Sequence, residues 1–285
     1  MAELISVIVA TYNRADALDA VLRSLACQTD HDFEVVVADD GSSTETAQVI
    51  GAWSAQMPVP LRHVWHDDVG FRLAEIRNRA IRVSEGAYCI FLDGDCIVRP
   101  GFVAAHRRLA QHGWFVTGNR ILLSPAFTQH VLRDGAEVHR WGAARWMSAR
   151  ALGAINRVAP LIRLPLGPLR KLKAGRWRGA RGSNMAFWRA DLERVDGFDA
   201  AFSGWGREDS DIFVRMIRAG VRRKDGRFAT GVLHLWHPEA DRSRLAENER
   251  QLSEAVRAGR IKAVRGLSAL IEDARRASRF EQEFA

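Results

Sequence analysis

Residues 88–96 read YCIFLDGDC. The first five, Tyr88 to Leu92, are apolar at odd and even positions alike, as in a strand buried on both faces, and the strand runs straight into two carboxylates, Asp93 and Asp95. In an open α/β sheet the carboxyl end of such a strand faces the crevice where ligands bind. Gly94 between the two lets the backbone turn so that both side chains face one ligand. Like charges this close repel unless a cation lies between them. Hard oxygen ligands in such small number suit Mg²⁺ or Mn²⁺ that shares its remaining positions with phosphate oxygens. Asp-Gly pairs also make plain hairpin turns, so the flanking sequence has to decide.

Upstream, Leu4–Ala10 (LISVIVA) is a β-branched run, and after TYNRAD the apolar residues Leu18, Val21, Leu22 and Leu25 take helical spacing. Phe33–Ala38 (FEVVVA) predicts a second strand ending in Asp39-Asp40-Gly41, with Ser42 or Ser43 to cap a helix over about 45–56. A third strand over Leu61–Trp65 and a helix over 71–84 lead into the central strand. Such alternation implies right-handed crossovers and an α/β, Rossmann-like, doubly wound and mostly parallel sheet, with Tyr12, Asp40 and Asp93 along one edge.

Downstream, a helix over 102–112 and a strand over 114–117 extend the pattern, which then stops. Residues 124–182 show no clean period, and 121–181 is expected to be an inserted or mobile cover. Order returns with the strand Gly182–Trp188, a short helix near Asp191, a helix over 209–219 closed by Gly220, and a last strand over 232–235. A charged helical tail is expected from Arg242 to Phe280. The resulting division is 1–120 for the first α/β half, 121–181 for the cover, 182–240 for the second half, and 241–285 for the tail.

Of the 285 residues 47% are hydrophobic, which excludes disorder, and no run approaches the roughly 18 apolar residues of a membrane span. Three unpatterned cysteines, Cys27, Cys89 and Cys96, read as reduced thiols of an intracellular protein, and the N-terminus lacks the basic segment of a secretory leader. The expected location is cytoplasmic, peripheral on the inner face of the cytoplasmic membrane.

The net charge of +8 is local, because residues 141–190 hold eleven Lys or Arg and no acid, which leaves the rest of the chain at −3. With Trp141, Trp146, Trp177, Trp188 and the run RVAPLIRLPLGPLRKLK, this patch suits an anionic membrane surface. It carries no nucleic-acid-binding motif, so no nucleic acid is expected.

Four motifs in order, TYNR after the first strand, DDGS after the second, LDGD after the fourth and GWGREDSD from Gly204, resemble family 2 glycosyltransferases of the GT-A fold. The last block resembles the C-terminal motif that they share with galactosyltransferases. The resemblance covers about 4–120 and 182–238 and fails over the basic stretch.

The resemblance implies a nucleotide-sugar donor, a UDP-sugar, and inverting transfer of a hexose or N-acetylhexosamine to a glycan or lipid-linked glycan acceptor in bacterial polysaccharide or lipopolysaccharide synthesis. It assigns Thr11, Tyr12, Arg14, Asp40, Arg72 and Asp93 to the nucleotide, Tyr12 packing on the base and Arg72 meeting phosphate. Asp95 and Asp93 hold Mn²⁺ or Mg²⁺ with a histidine after the last strand, either His234 or His237. Asp209 is the base, and Glu208 holds the acceptor or donor sugar, with exchange of the two roles left open. Trp205, Gly206 and Asn184 contact sugar. Arg207 departs from the family pattern, where a small residue is usual, and would meet an anionic acceptor or face solvent. A sugar nucleotidyltransferase would need a glycine-rich phosphate loop that TYNRAD lacks. An inactive sugar- or lipid-binding module would not need all of these acids.

Overall fold

The computed structural model describes residues 3–272. The elements run β1 (Ile5–Thr11), α1 (Ala15–Ala26), β2 (Phe33–Asp39), α2 (Thr44–Ser54), β3 (Leu61–Trp65), α3 (Leu73–Val83), β4 (Tyr88–Asp93), β5 (Cys96–Ile97) and α4 (Phe102–Leu109). They continue with β6 (Trp114–Thr117), β7 (Arg120–Leu122), α5 (Pro125–Arg133), α6 (Ala143–Ala151), β8 (Asn184–Trp188), α7 (Arg189–Arg194), α8 (Glu208–Arg218), β9 (Arg222–Asp225), β10 (Val232–His234) and α9 (Leu245–Arg257).

A seven-stranded sheet has the order β3-β2-β1-β4-β8-β6-β9. Its first four strands are parallel, and the direction of winding reverses between β1 and β4, which opens a crevice at their carboxyl ends. Both faces of the sheet are covered, as the unbroken apolar runs require. Val7, Val9, Val35, Val37, Ile90 and Leu92 pack with Leu18, Val21 and Leu22 of α1, while Ile8, Val36, Cys89 and Phe91 pack with Ile76 and Ala80 of α3 and Ile212 and Phe213 of α8.

The strand expected at Gly182–Trp188 is β8, and it lies between β4 and β6, antiparallel to both. β9, RRKD, carries no apolar signal and was not expected from sequence. Its last three charges are nonetheless buried: Lys224 Nζ donates to the Leu109 carbonyl and Arg223 Nε to Thr117 Oγ1, at 2.9 and 2.8 Å. A second, three-stranded sheet of β5, β10 and β7 pairs His234 with Cys96, next to Asp95.

Two expectations are corrected. Much of the 121–181 stretch is structural: α5 and α6 bury Val131, Trp146 and Ala149, and Val138 and Ile155 join the same core. These helices are too short, and too closely followed by Gly135 and Gly153, to show a period in sequence. The tryptophans serve packing as well. Trp146 is 2% exposed, Trp141 leans on it, and Trp188 stacks on His112 at 3.9 Å.

Ser43 occupies the N-cap of α2 without a side-chain cap, while Ser42 Oγ instead accepts from the Asn13 N–H. The helical tail is realised as α9, and the part expected beyond residue 272 lies outside the described residues. No helix among the described residues is long and apolar enough to cross a membrane.

Candidate active site

The crevice beyond β1 and β4 is a cleft of about 670 Å³. The turns after β1 and β2 frame one wall by clasping each other. Asn13 Oδ1 accepts from the Ser43 N–H, the Asp40 N–H donates to the Thr11 carbonyl, and Asp39 takes the Ser42 N–H. Thr11, Tyr12, Arg14 and Asp40 all line the cleft. The Thr11 hydroxyl is buried there without a partner, and Tyr12 is 45% exposed with its hydroxyl on Asp68 at 2.9 Å. Asp40 is already engaged: Oδ1 lies 2.7 Å from His66 Nε2, and Oδ2 accepts the Arg72 N–H.

Asp93 and Asp95 sit on the floor. Gly94 between them has a stricter role than turning: a Cβ there would lie 2.8 Å from the Ala10 carbonyl, which accepts the Gly94 N–H. The β4 turn can therefore close onto β1 only with glycine. Asp95 Oδ2 stands 3.2 Å from His237 Nε2 and 3.5 Å from His234 Nε2. The three donors converge within 4.8 Å of one another, and Asp93 and Asp95 approach with Cys96 just as closely. Burial disfavours the charged form of His234, so its imidazole is held in the neutral state that a metal requires. One carboxylate and two imidazoles beside a second carboxylate make a donor set that fits a divalent cation.

The opposite wall is the start of α8. Gly204, Trp205 and Gly206 lead to Arg207, whose φ of 80° is strained for a side chain of that size, and then to Glu208 and Asp209 in the first turn. Glu208 and Asp209 both line the cleft, as do Asp93 and Asp95. Asp209 Oδ2 accepts the Gly182 N–H at 2.9 Å, and a Cβ on Gly182 would strike Asp209 at 2.8 Å. Desolvation first, and the Asp209 charge second, push Glu208 up to about 7. Asp93 is pushed up to about 6 by desolvation, with Arg77 opposing and Asp95 adding to the rise.

Two residues predicted for the site stand elsewhere. The Arg72 side chain does not line the cleft but reaches Glu75 and the Asp67 carbonyl. Asn184 is 1% exposed, and its amide is spent on the Thr230 carbonyl and His106, leaving Gly182 and Ser183 as the cleft-lining part of that segment. Arg207 pairs with Glu249. Asp211 is fully buried against Arg215.

Sequence reasoning missed Arg77, which is 1% exposed and joins the two walls through Asp93 at 3.1 Å and Glu208 at 3.5 Å. Its place one residue before Asn78, on the apolar face of α3, was the available signal. The sequence predicts the helical tail but gives no sign that α9 reaches the site, where Asn248 donates to the Ser203 and Gly206 carbonyls at 3.1 and 2.9 Å, while Arg242 stacks on Trp205 at 5.0 Å.

Residues 6–152 match the profile of glycosyl transferase family 2, and residues 172–238 match one described as the N-terminal domain of galactosyltransferase. Among curated proteins, the chain is 30% identical over 245 residues to a validoxylamine A glucosyltransferase of Streptomyces hygroscopicus subsp. jinggangensis, covering 80% of this chain and 55% of that protein. It is 27% identical over 237 residues to the chondroitin synthase of Escherichia coli, covering 76% of this chain and 32% of the relative. The chain thus spans about half the length or less of these relatives.

Among solved structures, a mannosyltransferase from Pyrobaculum calidifontis in complex with GDP-Man and Mn²⁺ superposes with a TM-score of 0.58 at 22% identity, covering 89% of this chain and 64% of the other. Residues 1–349 of S. aureus TarS in complex with UDP give 0.58 at 16% identity, covering 88% and 64%. The fold is GT-A, and by the extent of the profile match the chain belongs to glycosyltransferase family 2.

Proposed function

We propose that the protein is an inverting, metal-dependent glycosyltransferase that moves a hexose or N-acetylhexosamine from a nucleotide sugar to a hydroxyl of a glycan acceptor. The observation that carries this reading is that Asp93 and Asp95 on one wall and Glu208 and Asp209 on the other line a single cleft. Residues 1–120 take the donor and residues 182–240 the acceptor. Thr11 and Tyr12 receive the nucleoside, with the unpartnered Thr11 hydroxyl as one of its contacts.

Asp95, His234 and His237, with Asp93 beside them, would hold Mn²⁺ or Mg²⁺. The ion when bound supplies positive charge to the diphosphate, so that the departing nucleoside diphosphate needs no protein acid. Asp209 takes the proton of the acceptor hydroxyl while that oxygen forms its bond to the anomeric carbon. The bond from that carbon to the diphosphate oxygen breaks on the opposite face, which inverts the configuration. The Gly182 N–H fixes the orientation of the Asp209 carboxylate. Trp205 offers its ring to a sugar, and Glu208, tied to Arg77, holds a sugar hydroxyl.

UDP-sugars are the first donors to test, since one structural neighbour holds UDP, and GDP-mannose is the second, since another holds GDP-Man and Mn²⁺. Transfer from a panel of these donors to short glycans, with the product read by NMR, tests the assignment. An anomeric configuration opposite to that of the donor is expected. A retained configuration, or transfer undiminished in Asp209→Asn, would overturn it.

A further inference from the structure

The basic stretch also carries aliphatic side chains that no other described residue covers. Leu169 is 59% exposed and Leu172 78% exposed, and Ile162 and Leu164 beside them are also exposed. Leu169 lies in a short 3₁₀ turn over Gly167–Lys171, and Leu172 follows three residues later, so the two stand on one side of the chain. Arg163, Lys173 and Arg176 are exposed and neighbour them in sequence, and no acid occurs from 141 to 190.

The fold pins this strip outward. Arg170, 6% exposed, donates to the carbonyls of Leu164, Asp225 and Arg227, and the Leu164 N–H bonds to the Phe228 carbonyl. A buried guanidinium satisfied by three carbonyls fixes the turn, so the leucines cannot fold inward. Exposed apolar groups held in this way signal a partner surface. The tryptophans of the same stretch, in contrast, pack internally.

We propose that residues 162–176 dock on an anionic lipid bilayer, with Leu169 and Leu172 inserted among the acyl chains and the surrounding Arg and Lys residues at the headgroups. Aliphatic insertion plus cationic charge matches such a surface, whereas a nucleic-acid groove would reward the charge but not the leucines. From Leu172 the chain runs only as far as Ala180, Arg181, Gly182 and Ser183 before it forms the rim of the cleft. A docked protein therefore opens its cleft close to the membrane surface, which suits an acceptor glycan anchored in lipid. The docking stands apart from the glycosyl-transfer reading, whereas the lipid-anchored acceptor rests on it.

Co-sedimentation with vesicles of phosphatidylglycerol and phosphatidylcholine, against pure phosphatidylcholine, tests the docking. The protein is expected to pellet with the anionic vesicles and to be released by high salt. The double variant Leu169→Glu and Leu172→Glu should lower the partition coefficient by about tenfold or more. A second variant, Lys173→Ser with Arg176→Ser, should weaken binding to anionic vesicles by a few-fold and blunt its salt dependence. Thermal stabilisation by UDP or GDP with Mn²⁺ should be the same in all variants, which reports that each is folded with an intact donor site.

Absence of pelleting, pelleting unaffected by the leucine changes, or tight binding of an RNA oligonucleotide unaffected by them would overturn the proposal. If vesicles fail while the nucleotide shift persists, only the docking falls. If vesicles bind and the nucleotide shift is absent, the glycosyl-transfer reading falls instead.

Discussion

Arg77 Nη2 lies 3.1 Å from Asp93 Oδ1, and the same guanidinium reaches Glu208, so one buried cation ties the floor of the cleft to the helix opposite. Arg77 also lies over the Phe198 ring at 5.3 Å. Removing the guanidinium leaves two carboxylates facing each other without compensation. Arg77→Ala is therefore expected to destabilise the protein by about 3 kcal/mol, the lower end for a broken buried pair because Asp93 keeps some contact with solvent. Chemical denaturation measures this, and a loss under about 1 kcal/mol would mean that the carboxylates do not depend on Arg77.

The raised Glu208 carboxyl has a consequence for stability against pH. A carboxyl whose pKa is higher folded than unfolded binds more protons in the native state. Its stabilising contribution is complete below about 4.5 and is lost as pH rises through about 7. The metal-free protein should melt at a lower temperature at pH 8 than at pH 5.5, and Glu208→Gln should reduce that difference. An unchanged pH dependence in Glu208→Gln would assign it to another group.

Asn248 positions the Trp205 loop from outside the matched profiles, by donating to the carbonyls on both sides of Trp205. Asn248→Ala should raise the acceptor KM by about tenfold, the worth of roughly one lost hydrogen-bonded anchor, and leave nucleotide affinity unchanged. Asn248→Asp, which keeps the shape but cannot donate, should behave like alanine. Equal losses in donor and acceptor affinity would point to general unfolding instead of loop placement.

His234 and His237 face the same Asp95 oxygen from different elements, one in β10 and the other in the loop after it. Each single alanine variant should weaken Mn²⁺ binding by tenfold or more, and the double variant should abolish it. Calorimetric titration with Mn²⁺ in the presence of UDP checks this. Full affinity in His237→Ala would leave His234 as the histidine ligand.

The parallel half of the fold was legible because β1, β2 and β4 are buried on both faces and so lack polar interruptions, while α1 and α3 show their apolar faces openly. The acids were legible because Asp93, Asp95, Glu208 and Asp209 cluster at element ends. What was hidden depends on partners distant in sequence. RRKD makes a strand only because the carbonyls of Leu109 and of residues 176–179 accept its charges. Arg72 follows from the family resemblance alone, and Arg77 stays hidden because the inward face of α3 reads as core. Asn184 reads as available in sequence, whereas β8 lies between two strands and its amide turns to Thr230.

The most direct test is nucleotide binding and transfer in Asp95→Asn and Asp209→Asn, measured side by side. Asp95→Asn should lose the Mn²⁺-dependent thermal stabilisation by UDP or GDP, and transfer with it. Asp209→Asn should keep that stabilisation in full while transfer falls by about a thousandfold. Nucleotide stabilisation that needs no metal and survives in Asp95→Asn, together with undiminished transfer in Asp209→Asn, would contradict a division of labour across the cleft.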